Sequence, residues 1–398
     1  MMILKFHKGF EMTTRSLLAI FSFICFLGLS ACGSAGGGSS SGGAGSSAPT
    51  VIGYAITNVE SPGTTYVNAV YSDGSIKTIN QVAGGIDILD FSVAKEGAQY
   101  YVFGADYQGS DIVSYSINTT NGSITVLPGT ALSSAPTYCM VDRLNQYLYC
   151  GLANSTLVSF AINATTGALA QTAYSQALQS GYTVYGMIED TPGQHFVVGV
   201  GMPGGSVLYG GYYVLTDNQN GSPTLDNQTF TTTQGTPQGF VADPGTQNGN
   251  FVFAGTRASG NFVSVNVTSF ASGNTGGVQY INVTGTNNPT VAYWSDPTGT
   301  WFYGAINNAS SSSLNPAELY QYTIGTSGGL TQGSMSPIPY GTFFTTQGAF
   351  YDSTNGYLIG IGGQGTLSTL SYSLSGNLTL LGSGGEGAYT DFAYVPAS

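Results

Sequence analysis

Few side chains after residue 50 can move a proton, attack a carbonyl or hold a metal. That stretch has one histidine, His195, four cations (Lys77, Lys95, Arg143 and Arg257) and two cysteines, Cys139 and Cys150, beside 18 carboxylates. Its formal charge is 4 − 18 = −14. Four scattered cations cannot neutralise a phosphate backbone, so nucleic-acid binding is excluded as a function class. The same field disfavours phosphorylated substrates unless a local pocket overrides it. No G-x-S-x-G elbow, H-E-x-x-H helix, Walker loop or dinucleotide fingerprint followed by the required helix is found. What remains is the chemistry of paired carboxylates, which can bind a cation through oxygen or share a proton as acid and base, and of one cysteine pair. Which carboxylates meet depends on the elements that carry them.

Those elements are strands. Gly contributes 59 residues, Tyr 27 and Phe 20, and only 7% of residues are charged. This composition suits short aromatic strands joined by tight turns, and no sustained 3.6-residue apolar period follows residue 50. An apolar strand, a turn with Asp or Gly and a second aromatic strand recur six times, as in FSVAKEGAQYYVFGA (91–105), YCMVDRLNQYLYCG (138–151) and AYWSDPTGTWFYGA (292–305). Aligning Lys95, Asp142, Asp190, Asp243, Asp296 and Asp352 gives spacings of 47, 48, 53, 53 and 56 residues. A second hairpin follows in most copies, for example LVSFAINATTGAL (157–169). Two hairpins make a four-stranded propeller blade.

Six copies begin near residues 88, 135, 183, 236, 289 and 345, and a seventh is split. Tyr389–Pro396 matches the inner strand alone, while VIGYAITN (51–58), YVNAVY (66–71) and SIKTIN (75–80) supply the other three. The expected fold is therefore all-β, a seven-bladed β-propeller over residues 51–398 in which the C-terminal strand completes the N-terminal blade and leaves no open edge.

Inner-strand starts line the mouth of a propeller channel, which nominates Asp90, Thr137, Tyr185, Gln238, Val291, Gln347 and Asp391. Asp90 and Asp391 fall in adjacent blades, near Asp87. They either bind a divalent cation such as Ca²⁺ or Mg²⁺, act as an acid–base pair, or accept backbone amides and hydrate the channel. Otherwise no cofactor is expected. Two residues before the aligned Asp stand Val93, Met140, Ile188, Val241, Trp294 and Phe350, read as core against the neighbouring blade. Cys139 and Cys150 lie on strands joined by the Asp142–Asn145 turn; they form a disulfide or pack as free thiols. His195 sits directly before its strand and reads as an exposed or half-buried strand residue.

The N-terminal region has another logic. Lys5, Lys8 and Arg15 precede the apolar run SLLAIFSFICFLGLSA (16–31), a secretory-signal pattern that would also function from Met12. Leu29-Ser30-Ala31-Cys32-Gly33 resembles the bacterial lipoprotein box. The resemblance implies a signal peptide over 1–31, lipidation of Cys32, and a Gly/Ser-rich tether over 32–50. Because Gly33 is not Asp, it also implies the outer membrane of a Gram-negative host.

The repeats themselves resemble the bacterial 6-phosphogluconolactonase-like, lactonase-fold propellers with YVTN-type repeats. The residues that carry this are Asp296-Pro297-Thr298-Gly299 and the motif from Val158 to Leu169, within a resemblance spanning roughly 51–396. The resemblance implies lactone hydrolysis by His, Arg and carboxylate groups around the channel. This chain departs from that set, with Arg143 in a hairpin turn, Arg257 in a loop and no basic cluster at an inner-strand start. The expected function is a lipid-anchored, monomeric binding or scaffolding module of the cell envelope for a protein or glycan, contacting the membrane only through its anchor. The alternative is a lactonase-like hydrolase using the channel carboxylates.

Overall fold

The computed structural model describes the chain from residue 48 onward apart from 61–62, 203–208, 232–234, 245–249, 258–259, 283–289, 307–316, 336–337, 342–348, 362–366 and 386–390. The signal segment, Cys32, most of the tether and Gln347 lie outside the described residues.

Seven antiparallel sheets form a ring of blades; all but the first run outward in chain order, and the sixth adds a fifth strand, Ile338–Gly341. Blade 1 holds Val51–Val59, Thr64–Tyr71 and Ile76–Ala83, with Phe392–Pro396 as its innermost strand. Blades 2 to 7 begin with inner strands Ile88–Glu96, Pro136–Val141, Thr183–Glu189, Pro237–Ala242, Thr290–Ser295 and Phe350–Asp352. The closing strand pairs antiparallel with the first, from Gly53 opposite Pro396 to Thr57 opposite Phe392. This is the closure expected from the sequence, with the inner strand starting at Phe392.

Burial explains the strand grammar. Second strands such as Gln99–Asp106 and Phe251–Thr256 are covered on both faces by neighbouring blades and read as near-continuous apolar runs. Outer strands have one face in water: Thr224–Thr231 alternates strictly, and Leu169–Ala177 does so after two consecutive exposed residues, Ala170 and Gln171. Apolar clusters fill every interface between consecutive blades. The ring-closing cluster joins Ile359 and Leu367 of blade 7 to Ala55, Val70, Phe392 and Tyr394 of blade 1. Blade 5 departs from the hairpin pattern, since a short helix, Val267–Ala271, capped by the Asn266 side chain, separates its outer strands.

The aligned aspartates organise the turns. Asp142 Oδ1 accepts the backbone N–H groups of Gln146 and Tyr147 at 2.7 and 3.1 Å, and Asp190 Oδ1 accepts those of Gln194 and His195 at 2.7 and 3.0 Å. In blade 6 Asp296 Oδ1 accepts Trp301 N–H at 2.6 Å, while Gly299 takes a φ of 64° that favours glycine. These carboxylates hold the chain reversal that lets the aromatic strand return. Cys139 and Cys150 face each other on paired strands and form a disulfide, with Cα atoms 4.2 Å apart.

Candidate functional site

The inner strands of all seven blades enclose a cavity of about 870 Å³ around the ring axis. Its wall is largely apolar. Val93, Met140, Ile188, Val241 and Trp294, read from sequence as blade-to-blade core, do pack in the clusters between blades, and together with Phe350 they also line this cavity. The Trp294 ring packs on Tyr303, Tyr351 and Tyr372 at 5.3, 5.2 and 5.1 Å.

None of the described inner-strand starts lines the cavity. The reason is a recurring bulge. Register slips between Ile88 and Phe91, Pro136 and Tyr138, Val184 and Gly186, Gln238 and Phe240, and Ala292 and Trp294. An extra residue flips the faces of every later position in its strand, so alternation counted across it assigns the wrong side. Asp90, Thr137 and Tyr185 lie within these slips. Thr137 donates its hydroxyl proton to the Gly151 carbonyl at 3.2 Å, and Tyr185 and Gln238 are half-buried.

Asp90 and Asp391 do meet, but inside the protein. They are 0% and 1% exposed. Asp391 Oδ2 accepts the N–H of Phe91 in the next blade, and Asp90 Oδ2 accepts that of Cys139 in the blade after, at 2.8 Å. The two carboxyls also hydrogen-bond to each other, and burial followed by the Asp90 charge holds Asp391 well above the usual carboxylate range. A proton shared between them removes the repulsion of two like charges held together in the interior. These oxygens face N–H donors, a poor fit to a cation, and among the described residues no three His, Cys, Asp or Glu side chains gather as a metal site.

Similar latches continue around the ring. Ser92 Oγ accepts Val141 N–H at 2.8 Å, and Ser295 donates to the Ala242 carbonyl at 2.9 Å. His195 is tied down as well: it is half-buried and its Nδ1 lies 2.9 Å from Asp190 Oδ2, a hydrogen bond that raises its pKa. It does not line the cavity.

The charged groups that do line it are Lys95, Arg143 and Glu189, all at the turn end of the inner strands. Lys95 Nζ lies 5.6 Å from the Tyr100 ring centroid, and Lys95 N–H donates to Asn145 Oδ1 at 3.0 Å, tying it to the turn that carries Arg143. Arg143 N–H donates to Glu189 Oε2 at 2.6 Å. Burial pushes Glu189 up to about 7, helped by Asp217 and Asp142 and opposed by the Arg143 N–H. The sequence held a signal for this set: Lys95 occupies the aligned-Asp position, Arg143 follows it and Glu189 precedes it. These three lie at the opposite end of the inner strands from the strand starts.

No family model matches the chain, and none of the curated proteins does. Solved structures do. A protein from Lactobacillus plantarum superposes with a TM-score of 0.66 at 13% identity, covering 87% of this chain and 100% of its own. A candidate 6-phosphogluconolactonase from Bacteroides uniformis gives 0.65 at 12% identity, covering 87% and 100%. Another from Bacteroides fragilis gives 0.67 at 11% identity, covering 87% and 98%. At these identities the likeness establishes a shared fold, the seven-bladed β-propeller.

Proposed function

We propose that this propeller is a binding module of the cell envelope, exported and held by lipid on Cys32, whose axial cavity takes a small molecule without turning it over. One observation carries the reading: the cavity wall is mostly aliphatic and aromatic, the carboxylate pair and the histidine are engaged elsewhere, and Glu189, the one acid in the lining, has no second carboxylate or histidine beside it there. Asp90 and Asp391 hold backbone amides and His195 holds Asp190. A volume of about 870 Å³ suits a small organic ligand.

Trp294 provides the assay, because its indole lies in the wall. Ligand candidates added to purified residues 49–398 should change the tryptophan emission saturably in the native chain and not in Trp294→Phe. A panel of sugar lactones, with and without calcium, tests the hydrolase alternative raised by the names of the Bacteroides neighbours. Turnover lost in Asp391→Asn would defeat the binding-only reading. The anchor is tested separately: radiolabelled palmitate should enter the full chain and not Cys32→Ser.

A further inference from the structure

We infer that the axial cavity takes an amphipathic anion, with its apolar body against the wall of blades 5 and 6 and its anionic head at Lys95 and Arg143; this rests on the binding role proposed above.

The cavity is lopsided. Its charged lining residues come from blades 2, 3 and 4, whereas blades 5 and 6 present Phe240, Val241, Pro244, Tyr293, Trp294 and Pro297. Only four cations follow residue 50, and two of them meet here, although the chain there carries −14. Lys77 and Arg257 are not in the lining. Both rim cations are exposed, and among the described residues neither is in an ion pair; the ion pair present is His195 with Asp190. The Lys95–Asn145 and Arg143–Glu189 hydrogen bonds engage backbone N–H groups, so the ammonium and guanidinium remain available to a ligand. Glu189 is the single acid in the lining and burial raises it to about 7, so two positive groups face one partly neutralised carboxyl. Guanidinium suits a planar carboxylate or a sulfonate, and the aromatic wall suits a flat apolar body.

Two dyes with the same aromatic body separate the contributions. 1-Anilinonaphthalene-8-sulfonate carries the anion, and N-phenyl-1-naphthylamine lacks it. Native protein should bind the sulfonate more tightly, and added salt should narrow the gap. Lys95→Gln/Arg143→Gln should weaken the sulfonate about tenfold and leave the neutral dye unchanged. Lys77→Gln/Arg257→Gln should alter neither. Equal affinity of native protein for the two dyes, or sulfonate binding unchanged in Lys95→Gln/Arg143→Gln, overturns the inference while leaving the cavity as a binding site. Failure of native protein to bind either dye removes the binding role itself.

Discussion

Two carboxyls with no exposure to water pose a problem that a single shared proton solves. Were Asp90 and Asp391 both ionised, two like charges would sit in a low-dielectric interior with only backbone amides to compensate. Because Asp391 titrates above its ordinary range when folded, the native state holds a proton that the unfolded chain releases as the pH rises past about 4. Stability from this group is therefore greatest at low pH and falls as the pH climbs toward the raised pKa. Asp391→Asn keeps an acceptor for Phe91 N–H and supplies a permanent donor to Asp90. The variant should match native stability near pH 4 and exceed it at pH 8, by about 1.4 kcal/mol for each pH unit that separates the folded from the unfolded titration of Asp391. Urea unfolding at both pH values checks this; parallel pH profiles for the two chains would show that no proton is shared.

At the scale of the element, the inner strand combines what was legible with what was not. The aligned turn aspartates, aromatic return strands and second hairpins all follow from local chemistry, so they could be read directly. The bulge could not. It comes from packing seven inner strands around one axis, and its residues (Asp90, Thr137, Tyr185) belong to no single type. Missing it put the strand starts in the expected cavity lining and left Lys95, Arg143 and Glu189 in what looked like plain turns. Cys139 and Cys150 were left open between thiols and disulfide because pairing alone does not fix oxidation; the structure joins them across the inner hairpin of blade 3. A loop of this length limits the chain-entropy gain to about 3 kcal/mol, and the hairpin already restricts the loop. Cys139→Ser/Cys150→Ser should thus lower stability by about 1–3 kcal/mol while the ring survives. Chemical denaturation of that variant gives the value, and an unchanged midpoint would mean the bridge adds nothing.

For the whole molecule, the ring depends on a strand contributed from the far end of the chain. The repeat count required this, since six full copies and two fragments make seven blades only if the fragments join. The closing strand is fastened on both sides: Asp391 takes Phe91 N–H of blade 2, and the Tyr394 hydroxyl reaches Asp352 of blade 7 at 3.3 Å. Phe392, Ala393, Tyr394 and Val395 are at most 5% exposed. Burying such a set stabilises by on the order of 6–8 kcal/mol, comparable to the whole stability of an ordinary domain. A chain ending at residue 385 should therefore fail to fold, leaving the edge of Val51–Val59 unpaired and prone to aggregate. Position in the chain is not what matters, however, because Ala397 N–H bonds the Ile52 carbonyl at 3.0 Å, so the closing strand ends beside the first. Moving residues 391–398 to the front, joined to residue 49 by a short Gly/Ser linker, should restore a cooperative transition within about 5 °C of the native Tm. Circular dichroism melts of the three chains decide the matter. A truncated chain that melts like the native one would mean that six blades stand without closure.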